Sequence, residues 1–428
     1  MKMTAAALTR VSKWCLLAHQ VTVNGRLILS KEEDWELEKQ LKVLNKPAIK
    51  TIKLENGDVF DCVDIYKQPS LDHPTLKNHS IQLKPSHYPG SDKFSSINKS
   101  HKIGIEFEGC PAGSVPIRRI TKEELVTSKN LLNVFREESV KNRWAYVGTL
   151  HDGEFYGAQA TLSVSNLSSI QLGQSSHAQI WVINGEADPN KINTVQAGWH
   201  VLPQLYGDSL SRFFVYWTAD YYQSTGCYNL RCSGFVQLNP RITPGMELIV
   251  SSAEAHVNEL TLSIFQDENT RDWWLTVGRV QEAVGYWPKS LFPNLSSKAN
   301  KVIWGGVASS NQNQPTPPMG SGQFASEGDG KAAYFTQTLI AYSPGSFEPL
   351  HSDEQSVYDT NKCYSVSRPD KLGELGYHFN YGGPGGLMVL TAICCPNDQR
   401  RRGRRGENDG GFDEGVEMVP PRPPGYRW

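Results

Sequence analysis

The chain has 428 residues, enough for two or three domains and a sizeable buried core. Its 43 basic and 44 acidic residues leave a net charge of -1, so no overall field favours nucleic acid or an anionic membrane as partner. No apolar run approaches the ~20 residues that cross a bilayer as a helix, which excludes a membrane span of that kind.

In chain order, residues 1–24 contain a poor secretory leader, because Lys13, His19 and Gln20 interrupt the apolar stretch such a leader needs. "SKEEDWELEKQLKVLNKP" then opens with Ser30 and Glu33 at capping-box spacing and places Leu37, Leu41 and Leu44 on one helical face. Pro47 stops that helix. "TIKLENGDVFDCVDIYKQPSL" predicts a hairpin about Asn56-Gly57. A polar stretch from 77 to 104 reads as loop, and Thr121 with Glu124 predicts a second capped helix running to about 138. Beyond Asn142 the texture becomes short strand-like segments such as "AQIWVING", "RFFVYWTAD", "ELTLSIFQD" and "WWLTVGRV", divided by Gly, Pro, Asn and Asp. That spacing predicts a β-sandwich or an open pair of sheets. From 387 to 428 an arginine-rich run, an acidic Gly-rich run and a Pro-rich end offer no core, so this tail is expected to be disordered.

Few residues point to chemistry by spacing. There is no HExxH helix, phosphate-binding loop or GxSxG elbow. Cys227 and Cys232 close a short turn with no second cysteine pair at zinc-finger spacing, so a local disulfide is expected there rather than a metal. Cys62 and Cys110 are candidates for a second bridge, and Cys363 has several possible partners, Cys394 and Cys395 among them. Eight cysteines and sequons at Asn78, Asn98, Asn166 and Asn294 point to a secreted history. The histidines are scattered singly; His200, beside Trp199, is the one noted for possible chemistry. Glu186, Asp188, Asp208, Asp220, Glu254, Glu259 and Glu327 are available for a carboxylate pair that spacing alone does not identify.

Longer strings say more. "NKPAIKTIKLENGDVFDCVDIYKQPSLDHPTLKNHSIQ" and "CPAGSVPIRRITKEEL" resemble the activation peptide of the plant neprosin family. "INTVQAGWHVLPQLYGDSLSRFFVYWTADYYQSTGCYNLRCSGFVQ", "WWLTVGRVQEAVGYWPKSLF", "VIWGG", "PMGSGQFASEGDGKAAYF" and "YHFNYGGPGG" resemble its peptidase domain, so the match runs from about residue 25 to 386. The resemblance implies a mainly β protein: an antiparallel β-sandwich of the glutamic-peptidase kind over 142–386, preceded by a small α+β prodomain over 25–141 that is removed on acidification. It also implies secretion to the apoplast, cleavage next to proline, and no metal or organic cofactor. A proline-rich peptide or protein is the expected partner, with no nucleic acid; oligomeric state is not implied.

The resemblance assigns catalysis to two glutamates, one in "xEAGW" and one ending "WGGE". Here Gln196 stands at the first position and Val307 at the second. Gln196 keeps the shape but cannot titrate, and Val307 keeps neither property. The expectation is a catalytically impaired peptidase homologue; the alternatives are a wall or apoplast binding protein using the old cleft, or an active acid peptidase using replacement carboxylates such as Glu186, Glu254 or Glu327. The plainer reading of Gln196 is a polar residue facing the groove between the sheets. Trp199, Trp217, Tyr222, Trp274 and Trp287 are the aromatic residues offered for ligand binding in the cleft. The family follows "YGGPG" with a cysteine that would pair with Cys363; this chain continues "GLMVLTAICCP", leaving Cys394 or Cys395 for that role.

Overall fold

The computed structural model describes residues 30–89, 108–127 and 140–386, with breaks at 186–190, 251–257, 313, 352–354, 360–361 and 372–375, and the isolated pairs 22–23, 26–27, 388–389 and 392–393. Met1–Val43 form one compact unit and Leu44–Trp428 another. Helix α1 (Lys31–Leu44) starts at the expected capping box: Glu33 N–H donates to Ser30 Oγ and Ser30 N–H donates to the Glu33 carboxylate. Leu37 is its buried position, with Leu41 and Leu44 half-buried on the same face.

The second unit opens with the hairpin read from the sequence. Strands β1 (Ala48–Lys53) and β2 (Val59–Asp64) flank Asn56-Gly57, and Gly57 adopts a φ of 90°, which a side chain would resist. Strand β3 (Ser114–Arg118) completes an antiparallel sheet in the order β1-β2-β3. A disulfide joins Cys62, on β2, to Cys110. The second capping box also forms, between Thr121 and Glu124, and opens a helix over 122–127 whose continuation to 138 lies outside the described residues.

Two large antiparallel sheets follow. The six-stranded sheet contains β4 (Lys141–Thr149), β6 (Gln174–Asn184), β7 (Asn193–Val201), β8 (Arg212–Thr218), β13 (Lys301–Ser310) and β15 (Gln355–Asp359), in the order β8-β7-β6-β13-β4-β15. The second has ten strands. Its main path is β9 (Val236–Gln237), β12 (Glu282–Trp287), β11 (Trp273–Val277), β10 (Glu259–Gln266), β5 (Gly157–Ser163), β14 (Ala333–Ser343), β17 (Tyr377–Gly382) and β16 (Ser365–Val366). Alternate residues of each strand meet between the sheets: Val195, Ala197, Trp199 and Val201 from β7 pack with Ala158, Ala160 and Leu162 from β5. Trp217, Trp287 and Trp304 lie in the same core. Among the described residues no helix is long and apolar enough to cross a membrane, and no group of three or more His, Cys, Asp or Glu could hold a metal ion.

The N-terminal segment is knitted to the sandwich. The Gln68 side-chain amide exchanges hydrogen bonds with the Gln237 backbone, Tyr286 Oη meets His79 and the Gln82 N–H, and Ser86 donates to Asp267. Residues 77–89 of the expected loop therefore form an ordered strap. A buried ionic cluster adds to this seam. Asp58, from the β1–β2 turn, accepts from Arg118 Nε (2.8 Å) and from Arg212 Nη1 (2.6 Å) on β8. Arg212 also pairs with Asp208, and Arg118 with Glu124.

The expected Cys227–Cys232 bridge is formed as well. Closing a span of 48 residues restricts the unfolded chain more than closing one of 5. Replacing both Cys62 and Cys110 by Ala should thus cost about 4 kcal/mol, against about 2 kcal/mol for Cys227 and Cys232. Denaturant midpoints of the two double variants check the order. Cys363 is buried, and Cys394 and Cys395 lie outside the described residues. Asn78 and Asn166 are exposed; Asn294 is half-buried and donates to the Lys191 carbonyl; Asn98 lies outside the described residues.

Candidate active site

Strand register places Gln196 and Val307 on one face of the six-stranded sheet, the face turned away from the second sheet. Three cross-strand rows define it. The first runs Gly148, Ile303, Trp181, Gln196, Tyr216; the second Tyr146, Gly305, Gln179, Gly198, Phe214; the third Trp144, Val307, His177, His200, Arg212. Gln196 therefore does not face the groove between the sheets, because the inward positions of β7 belong to Val195, Ala197 and Trp199.

Gln196 and Val307 are two strands and four residues apart, about 16 Å between Cα atoms for a flat sheet. The register position midway between them is Gln179, flanked in its row by Gly198 on β7 and Gly305 on β13. Both glycines mark close strand approach. A Cβ on Gly198 would lie 2.0 Å from the Ala178 carbonyl oxygen, and one on Gly305 would lie 2.4 Å from Tyr146 Cβ. Trp144, opposite Val307, and Trp181, opposite Ile303, come from the two strands that flank β13, and their rings meet with centroids 6.0 Å apart. Gly198→Ala should accordingly lower stability by about 3 kcal/mol or more, since backbone rather than a movable side chain stands in the way. A thermal melt of that variant matching the natural chain would contradict this register.

The two positions have different surroundings. Gln196 Nε2 donates to Thr194 Oγ1 (2.6 Å) and Tyr222 Oη (2.8 Å), while its Oε1 accepts from Gln179 Nε2 (3.0 Å). Both hydroxyls can rotate to donate instead, so the same constellation could hold a carboxylate with three hydrogen bonds. Val307 sits in an apolar cluster with Trp144, Tyr146, Trp181, Ile183, Ile192 and Ile303. Across the strand lies His177, whose burial holds its pKa down to about 3 and keeps it neutral. Next in the row, His200 stacks on Phe214 at 4.3 Å and shares a hydrogen bond with Tyr206 Oη. Burial, then His177 and Arg212, depress its pKa too, so it is a neutral core residue.

Of the five aromatic residues offered for the cleft, Tyr222 alone meets Gln196. Trp199, Trp217 and Trp287 are in the inter-sheet core, where the Trp199 indole donates to the Ser163 carbonyl; Trp274 packs on the outer face of the ten-stranded sheet. Alternation distinguishes two faces of a strand but not which of them meets the second sheet. Gln179, Trp181, Thr194 and Trp144 were missed. The alternation of "AQIWVING" could have singled out Gln179 and Trp181 as sharing a face.

Acidic residues stand elsewhere. Asp208 pairs with Arg212, Asp220 caps the 221–225 loop, Glu259 accepts from Tyr334, and Glu327 pairs with Lys331. Glu186, Asp188 and Glu254 lie outside the described residues.

A family model described as Neprosin matches residues 172–384, and one described as Neprosin activation peptide matches residues 51–152. The chain belongs to the neprosin family. The family's two parts thus occur in order here: the activation-peptide match takes in the three-stranded sheet and β4, and the Neprosin match begins just before β6. Among solved structures, the chain is similar to scytalido-glutamic peptidase with a transition state analog inhibitor, at 13% identity and a TM-score of 0.34, covering 57% of this chain and 100% of that one. SCP-B, a member of the Eqolisin family of peptidases in complex with the tripeptide Ala-Ile-His, gives 12% identity and a TM-score of 0.30 over the same shares.

Proposed function

We propose that this neprosin-family protein is an extracellular, catalytically impaired glutamic endopeptidase homologue that binds proline-containing peptides on the Gln196–Val307 face without hydrolysing them. The observation that carries the reading is the chemistry of the three rows: two amides, two neutral histidines, aromatic rings and an arginine already paired with Asp58 and Asp208, with no carboxylate at any of their register positions. Hydrolysis by paired acid and base needs two groups that titrate, and each contributes ~10²–10⁴ in rate. An amide and an isopropyl group supply neither. Two disulfides favour an oxidising compartment.

The surroundings still fit the lost pair. The donor-rich position at 196 suits an ionised base, and the apolar position at 307 suits a carboxyl kept protonated. Equilibrium binding tests the reading. Saturable binding of a labelled ten-residue proline-containing peptide, recovered intact, is expected; absence of binding from acid to neutral pH would remove it.

A further inference from the structure

Gln179 is committed at one end only. Its Nε2 donates to Gln196 Oε1, but among the described residues its Oε1 has no hydrogen-bond partner, although the residue is only 3% exposed. An unsatisfied buried acceptor costs about 1–3 kcal/mol. Its two immediate neighbours in the row, Gly198 and Gly305, carry no side chain that could donate to it, so Gln179 is the side chain that rises midway between the two former catalytic positions.

Above it the chain is strained. Tyr221 and Tyr222 have φ of 54° and 61°, a left-handed conformation that bulky residues adopt at a cost of order 1–3 kcal/mol each. The loop is held there by Asp220, which accepts from the backbone N–H groups of Ser224 and Thr225, and by the Tyr222–Gln196 hydrogen bond. A bound donor would satisfy the orphaned acceptor, and the loop that meets Gln196 is already held in a conformation from which it can relax.

We propose that Gln179 is a ligand-reading residue, its Oε1 accepting one backbone N–H of an extended peptide laid across the six-stranded sheet, with the Tyr221–Tyr222 loop moving to admit it. The inference rests on the peptide-binding reading above and specifies its central contact. It also sets a sequence rule: the peptide residue read at Gln179 is not proline, whose nitrogen carries no hydrogen.

The test is a backbone N-methyl scan of the ten-residue proline-containing peptide, with affinities measured against the full natural chain, Gln179→Met and Gln179→Glu. In the natural chain, methylation at one non-proline position should weaken binding about tenfold, the loss of one buried hydrogen bond. Gln179→Met should bind the unmethylated peptide about tenfold more weakly and show no sensitivity at that position. Gln179→Glu, which keeps an acceptor, should retain it. If the natural chain binds no peptide, the reading fails and this inference with it. Binding with no methyl-sensitive position overturns the inference alone, even if Gln179→Met cannot be folded. So does a sensitive position that persists in Gln179→Met.

Discussion

The double variant Gln196→Glu/Val307→Glu should cleave proline-containing peptides at acid pH, at a rate at least ~10⁴-fold above that of the natural chain. Each single variant should stay close to the natural level, because base and acid act as a unit and restoring one leaves the other step unassisted. A carboxylate at 196 would collect hydrogen bonds from Gln179, Thr194 and Tyr222, which favours its ionised form and lowers its pKa. A carboxyl at 307 would stand among Trp144, Trp181 and Ile303, where desolvation favours the neutral form and raises its pKa. His177 beside it is held neutral by burial and does not offset this. Activity should therefore be greatest at pH values between the lowered pKa and the raised one, and fall as pH rises through the latter. A silent double variant that binds peptide normally would mean that these are not the two lost positions.

Asp58→Asn should destabilise the chain by about 3 kcal/mol at neutral pH, since it leaves Arg212 and Arg118 buried against a partner without charge. Burial alone would push the Asp58 carboxyl up, but the Arg212 and Arg118 guanidiniums together outweigh it and hold the group below the usual carboxylate range. The sign follows from that depression. The stabilisation is fully present above the unfolded value near ~3.9 and is lost as pH falls through the lower folded value. Denaturant midpoints of natural chain and variant should therefore differ most from about pH 5 upward and converge in strong acid. Equal midpoints at neutral pH would show that the cluster does not secure the N-terminal sheet to β8.

Local chemistry was legible in the sequence. Asn56-Gly57 gave a hairpin, Ser30/Glu33 and Thr121/Glu124 gave capping boxes, and the Cys227–Cys232 turn gave a disulfide, because each depends on residues a few positions apart. The long family strings identified the neprosin architecture. What stayed hidden depends on register between strands distant in sequence. Nothing local says that Gln179 lies midway between Gln196 and Val307, or that Trp199 points into the inter-sheet core while Gln196 points away from it. The ionic cluster was equally invisible, since Asp58 and Arg212 are 154 residues apart.

Turnover by the natural chain tests the central claim most directly. The purified, acid-treated protein is incubated with a proline-containing peptide from strongly acid to neutral pH, and the products are read by mass spectrometry. The account predicts intact peptide throughout, at concentrations where binding is saturated. Cleavage after proline that titrates with acid and follows the protein through purification would contradict it, and would require a carboxylate other than positions 196 and 307 to perform the chemistry.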